Sequence, residues 1–400
     1  MSAATRLAAL LVLSATAAPG HAQVERCVAN EVEFTLAWAV AQASSIEPLV
    51  IKLVQGSYDL ALTPIGSYPT TTAAGRPVSI RGGYNSTCTS RSENPAATTL
   101  TSSRELTTRF VNIKTTDGAT GDLELDRLRL FNLTTLDLRT ETASSPERTL
   151  RLSRVVVERV RNTFIGFTTD VIIDNSVFWR GGNLNSPAFP FDSCALVVDS
   201  VFDYLERLVI RHSTFVASEG PAALCVGTDQ FPDGNDWSAT LVSNIFRNNG
   251  PIDIRLYKHP SQPNIPATIR NNIYATLDAN RPLTSAPVAT LNVDPLFVDA
   301  AAGNFRLQGA SPAINSGRTD ANLLSQRDFD GGPRWFGDAP DRGAFESAIG
   351  STATVLTVTN ANDAGPGSLR QALIDANAAA NLNTIRFNIA GACPRTITLA

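Results

Sequence analysis

The residues best suited to chemistry lie in Asp229-Gln-Phe-Pro-Asp-Gly-Asn-Asp-Trp237, which gathers three carboxylates, an amide and an indole in one short stretch. Asp229, Asp233, Asn235 and Asp236 offer oxygen donors of the kind that hold Ca2+, and beside Trp237 they would equally stack a sugar ring and hydrogen-bond its hydroxyls. The spacing is not that of an EF-hand loop, and any turn-rich insertion has a similar composition. Trp179, next to Arg180-Gly181-Gly182, extends the set as a second stacking surface expected on the same side, and Arg211 adds a cation. These seven residues are the candidate ligand-binding set. No catalytic residue and no metal ligand is assigned, and no cofactor is expected beyond a possible Ca2+ in the insertion. His212 reads as a structural residue at a bend and His259 as an exposed residue of a Pro-bounded loop, which leaves little for a catalytic triad. The acidic run Asp328, Asp330, Asp338 and Asp341 reads as turn-forming and paired with Arg327, Arg334 and Arg342.

What must position these residues is a phrase that recurs through the middle of the chain. Val171-Ile-Ile-Asp-Asn-Ser-Val-Phe178 returns as Leu208–Phe215, Ala239–Phe246 and Ala267–Tyr274, each copy alternating apolar residues, passing two small polar ones and ending on an aromatic. The anchors Ile173, Ile210, Leu241 and Ile269 are 37, 31 and 28 residues apart, and weaker copies centre on Leu125 and Leu152. A mean step of about 29 residues suits one coil of a solenoid whose strands stack on the coils above and below. Stacking predicts inward columns of Ile/Leu and of Phe/Tyr. It also predicts a bend where Asn175, His212, Ser243 and Asn271, beside Ser176, Ser213, Asn244 and Asn272, bond to the next coil. The outward position after each anchor holds Asp174, Arg211, Val242 and Arg270.

The net charge of −4 is close to neutral for 400 residues, and the 30 Arg and three Lys are scattered. That distribution argues against nucleic acid as a partner. Residues 1–22 read as a secretory signal peptide: Arg6, an apolar run from Leu7 to Ala18, and small residues before a cut at Gln23. Once it is removed, no stretch has the apolar length of a transmembrane helix, so the protein is expected to be secreted or held at the cell surface or outer membrane. In an exported chain the five cysteines invite pairing. Their order suggests Cys27 with Cys88 and Cys194 with Cys225, leaving Cys393 single; a metal site is disfavoured because no Cys-x-x-Cys or His cluster accompanies them.

Residues 34–43 carry apolar residues at helical spacing and are expected to cap the open end of the solenoid, followed by a strand at Val50–Tyr58. Coils run over about 50–290. Residues 294–346 then change character, with Asp294-Pro-Leu-Phe, Gly303-Asn-Phe-Arg-Leu307, Ser311-Pro-Ala-Ile-Asn-Ser-Gly317, Asp328-Phe-Asp-Gly-Gly and Ala339-Pro-Asp-Arg-Gly-Ala-Phe-Glu346. These phrases resemble the closing segment of bacterial right-handed parallel β-helix proteins labelled "choice-of-anchor Q", within the wider pectate-lyase-like superfamily. The resemblance implies an all-β fold, a right-handed parallel β-helix, over 23–347. Thr357–Asn377, with Gly365-Pro-Gly-Ser-Leu-Arg-Gln-Ala372, and Thr384–Ile389 resemble the opening segment of such domains. Leu36, Ala39, Val40 and Ala43 align with Leu369, Ala372, Leu373 and Ala376, so 348–400 is expected to start a second, similar unit that the chain breaks off. Members of the superfamily often cleave acidic polysaccharides, but the stacked carboxylates and the Gly-His-Gly or Arg-Ile-Lys phrases of its pectin-cleaving members are missing. The expected function is therefore a non-enzymatic surface or secreted stalk or adhesin-like module binding a polysaccharide or a surface protein. The alternative is a polysaccharide lyase or glycoside hydrolase with an atypical site.

Overall fold

The architecture follows from the repeated phrase. In the computed structural model, which describes residues 23–43, 47–63, 65, 72–73, 76–104, 110–115, 122–140, 148–166, 168–183, 194–199, 205–227, 237–259, 261–318, 327–348, 354–378, 383–391 and 395–398, the strands form three long parallel sheets of nine, seven and eight strands. The chain visits them in rotation. Asp170–Asp174 lies in the first sheet, Val177–Trp179 in the second and Leu196–Val198 in the third, and Arg207–Arg211 returns to the first directly above Asp170–Asp174. This is a right-handed parallel β-helix, as the sequence implies.

Alternation decides which side chains enter the core. In the first sheet Leu152, Ile173, Ile210, Leu241 and Ile269 stack in register and are essentially inaccessible to solvent. After the bend Phe178, Phe215 and Phe246 form a second column, their rings parallel with centroids 4.6 Å apart. Each such side chain contributes roughly 1.5–3 kcal/mol of burial.

The bend from first to second sheet takes two residues, and the two do different work. The first is left-handed in every well-formed coil: Arg127, Arg154, Asn175, His212, Ser243 and Asn271 have φ of 45 to 57°. The second points inward and builds a ladder along the axis. The backbone N–H of Val155 donates to Ser176 Oγ, Ser176 N–H to Ser213 Oγ, Ser213 N–H to Asn244 Oδ1 and Asn244 N–H to Asn272 Oδ1, over 2.8–3.2 Å. Side-chain bonding from coil to coil thus belongs to the column Ser176, Ser213, Asn244 and Asn272. In the neighbouring column the backbone N–H groups still donate to the next coil, while the side chains of Asn175, His212, Ser243 and Asn271 turn to the C-terminal segment.

The N-terminal cap is the helix α1, Glu31–Gln42, three residues longer at its start than the apolar spacing suggested. Asn30 Oδ1 accepts the N–H of Glu33, and Glu33 Oε2 accepts that of Ala29, which fixes the start. Phe34, Ala37, Trp38 and Ala41 form its buried stripe over the first coil. A strand precedes it: Val24–Val28 pairs in parallel with Leu49–Val54, so the cap is a β-α-β unit. Near the C-terminus the plan recurs, with Thr354–Val358 and Asn383–Phe387 paired in parallel around the helix α2, Leu369–Ala378. The helices match start to start rather than as the sequence alignment has it. Leu36 is exposed, whereas Phe34 and Ala372, each four residues after its cap residue, are buried.

The described residues of 294–346 add no coils. They fold back along the outer face of the second sheet as a strap, opening with the antiparallel pair Phe297–Asp299 and Asn304–Leu307. Phe305, Phe329, Ala344 and Phe345 pack on Val177 and Val216, and Leu307 and Ala313 on Ile245 and Ile273. Two disulfides, Cys27–Cys88 and Cys194–Cys225, form in the expected pairing, the second between neighbouring turns, and fit an oxidising compartment. Cys393 and the signal-peptide region lie outside the described residues. Among the described residues no helix is long and apolar enough to cross a membrane.

Candidate functional site: a groove beneath the strap

The left-handed corner is where the strap is fastened. Asn175 donates through Nδ2 to the carbonyl of Arg327 and accepts from Arg334 Nη1. His212 lies 3.3 Å from the carbonyl of Asp341, Ser243 Oγ accepts the N–H of Arg318, and Asn271 donates to the carbonyl of Ser316. Behind these contacts sits a buried hub. Arg334 pairs with Glu346 at 2.5 Å and donates to the carbonyls of Gly343, Ala344 and Phe345. Asp341 accepts the N–H groups of Asn315 and Ser347, and Asp328 those of Gly332 and Glu346. Burial pushes the Asp341 carboxyl up to about 6 and that of Glu346 up to about 7. Burial, with Arg334 nearby, holds His212 well below the usual imidazole value, so the ring is neutral and serves as a fastening. Asp328 and Asp341 are turn-forming as expected, but Asp330 pairs with Arg306 rather than with Arg327, Arg334 or Arg342.

Between strap and sheet lies a cavity of roughly 540 Å³, and Trp179 is on its wall. Val177 and Trp179 point outward from their strand while Phe178 points in. The indole packs edge-on against Phe305 at 5.5 Å. Gly303 makes the close approach possible: its φ is +78°, and a Cβ there would come within 2.6 Å of the indole. Phe329 and Phe345 complete the apolar lining. Two ion pairs supply polarity. Arg129 holds Glu158 of the next coil through Nη2 and Nε at 2.6 and 3.0 Å, and Arg306 grips Asp330 with two bonds of 2.6 and 2.8 Å. The Asp330 carboxyl is raised by burial, against the pull of Arg306. Aromatic walls with carboxylate and guanidinium groups beside them suit a ring that carries hydroxyls.

The candidate residues that the structure describes, Trp179, Arg211 and Trp237, do not converge. Trp179 lines the groove on the second sheet. Arg211 is on the first, bonded to Asp174, which Arg151 also reaches at 3.1 Å. Trp237 is a correction: it is 1% exposed within the solenoid core, with Lys258 Nζ 5.6 Å from the ring centre, and offers no stacking face to a sugar. The reason lies in its position at the entry to Ser238–Val242, where the chain turns inward to begin a coil. The expectation that Trp179 shares a side with the insertion falls on residues outside those described. Asp229, Asp233, Asn235 and Asp236 lie outside the described residues. Among the described residues no group of three or more His, Cys, Asp or Glu side chains could hold a metal ion.

Sequence reasoning missed Arg129, Glu158, Phe305, Arg306, Phe329, Asp330 and Phe345. One signal was available: Val177-Phe-Trp179 is apolar on both faces, which a half-exposed strand is not. No protein-family model matches the sequence, and no curated protein matches it either.

Proposed function

We propose that this is an exported β-helix protein of the pectate-lyase-like superfamily with a choice-of-anchor-Q-like strap at 294–346. In this reading it acts without catalysis, as a surface or secreted stalk or adhesin-like module, and residues 348–400 open a second β-helix. The ligand is a glycan, one ring of which occupies the groove against Trp179 while its hydroxyls bond to Arg129 and Asp330. The observation that carries this reading is the indole held between sheet and strap, with the paired carboxylates of Glu158 and Asp330 lining the same cavity. The disulfides and the reading of residues 1–22 as a signal peptide support export.

Screening the purified chain against immobilised oligosaccharides tests it. Saturable binding to at least one glycan, weakened tenfold or more by Trp179→Ala, is the expected result. Binding that survives the substitution, or none across neutral and acidic glycans, would sink the groove as the site. Release of unsaturated sugars or new reducing ends would overturn the non-enzymatic reading.

A further inference from the structure

We infer that the corner between the second and third sheets carries a separate oxyanion site, built by Arg159 and Arg180 with Arg161 beside them, which takes a carboxylate, sulfate or phosphate group of a ligand. It does not depend on the groove being a glycan site.

The argument rests on two arginine stacks of the same construction. At the first corner Arg127 and Arg154 occupy consecutive coils with φ of 55° and 52°. At the second, Arg159 and Arg180 do so with φ of 53° each. In both, the backbone N–H of each arginine donates to a carbonyl of the following coil: Arg127 to Ser153, Arg154 to Asp174, Arg159 to Trp179 and Arg180 to Val216. Parallel stacking therefore brings two like charges to positions about 5 Å apart along the backbone in each case. Left-handed backbone is costly for a residue with a Cβ other than Asn or Asp, and arginine is one, so neither pair is where it is by backbone preference.

The first stack contains its own counter-ion. The Glu93 carboxylate sits between the two guanidinium groups, 3.1 Å from Arg127 and 2.9 Å from Arg154, and Asp126 stands 3.7 Å from Arg154. Among the described residues the second stack has no such carboxylate between its members. The nearest to Arg159 is Glu158, at 4.0 Å, and that carboxylate is already bound by Arg129. Arg180 lies over the Trp179 ring and makes a long bond to the carbonyl of Ala301, neither of which neutralises it. In the place that Glu93 fills at the first corner there is a cavity of roughly 250 Å³, lined by Asn132, Arg159, Arg161, Arg180, Gly182 and Glu219. The two stacked guanidinium groups of Arg159 and Arg180 against the one carboxylate of Glu219 give it a net positive lining, and guanidinium forks match planar or tetrahedral oxyanions. The protein's own first corner shows what this geometry holds: one oxyanion bridging two stacked arginines.

Isothermal titration of the full chain with inorganic sulfate, inorganic phosphate and glucuronate, and with glucose as the neutral control, tests the site and separates the sources. Saturable uptake of at least one anion, absent for glucose and weakened by added NaCl, is expected. The double substitution Arg159→Ala/Arg180→Ala should lower that affinity at least tenfold, Glu219→Gln should raise it about two- to fivefold, and Arg255→Ala, on the third sheet, should leave it unchanged. Circular dichroism checks that the variants fold. If the double variant does not, Arg159→Gln at the more exposed position replaces it, with a loss of threefold or more expected. No saturable anion binding by the unsubstituted chain, or affinity unchanged in the arginine variants, overturns the inference.

Discussion

Two of the solenoid's three bends are built alike and finished differently. At the first, every polar side chain finds a partner inside the molecule: Arg127 and Arg154 share Glu93, and Asn175, His212, Ser243 and Asn271 hold the strap. At the second, Arg159 and Arg180 face a cavity, and Arg159 keeps about half of its side-chain surface in solvent. The same left-handed corner thus serves in one place as a fastening and in the other as an open surface. The contrast separates residues that stability requires from residues left free to meet a ligand.

Breaking the fastened corner should have the largest effect. Arg334→Ala leaves Glu346 buried without its cation, and denaturant unfolding should show a loss of about 3–5 kcal/mol with early proteolysis of the strap. A loss below 1 kcal/mol would mean that the hub does not hold it. Asn244→Ala strips the acceptor from Ser213 N–H and two bonds of its own amide, with an expected loss of about 1–3 kcal/mol by the same measurement. Glu93→Gln removes the shared counter-ion of Arg127 and Arg154, and because Glu93 is partly exposed the expected cost is only about 1 kcal/mol, shrinking at high salt.

A pH titration sharpens the comparison further. Asp341 and Glu346 have folded values of about 6 and about 7, above those of free carboxyl groups, because burial disfavours the charged forms. The folded state therefore binds more protons than the unfolded one between about pH 4 and 7. Their contribution is complete below about pH 4 and is lost as pH rises through 6 and 7, so thermal melts should show the strap loosening by up to about 4 kcal/mol from pH 5 to pH 8. Glu346→Gln should flatten that slope. The smallest effect belongs to the open corner: Arg180→Ala should change stability by no more than about 0.5 kcal/mol while still affecting anion uptake. A large destabilisation there would erase the distinction between the two corners.

The coils were legible because their signal is local and repeated. Ile173, Ile210, Leu241 and Ile269 stand in one column, as their spacing implies, and the aromatic column follows. The α1 stripe was legible for the same reason. The strap's course was not, since contacts such as Arg334 with Asn175, 159 residues apart, leave no periodic mark in either segment. The site was legible only at Trp179. Its partners come from another coil and from the strap, so no window of sequence contains them. Trp237 misled because an aromatic residue beside an acidic insertion resembles a sugar platform, while its place at the start of a coil puts it in the core.

The strap also sets an order of events. The hydrogen bonds that fix it join residues 45 to 159 positions apart, whereas successive coils bond over 21 to 37. Short-range pairing closes first, because long loops cost more entropy to shut. During synthesis the coils up to Ile273 are made before residue 294 exists, and until the strap arrives the outer apolar row Val177, Val216, Ile245 and Ile273 faces water. That interval is the time in a folding chain's life when a chaperone has most to shield, and it ends with the docking of one late segment.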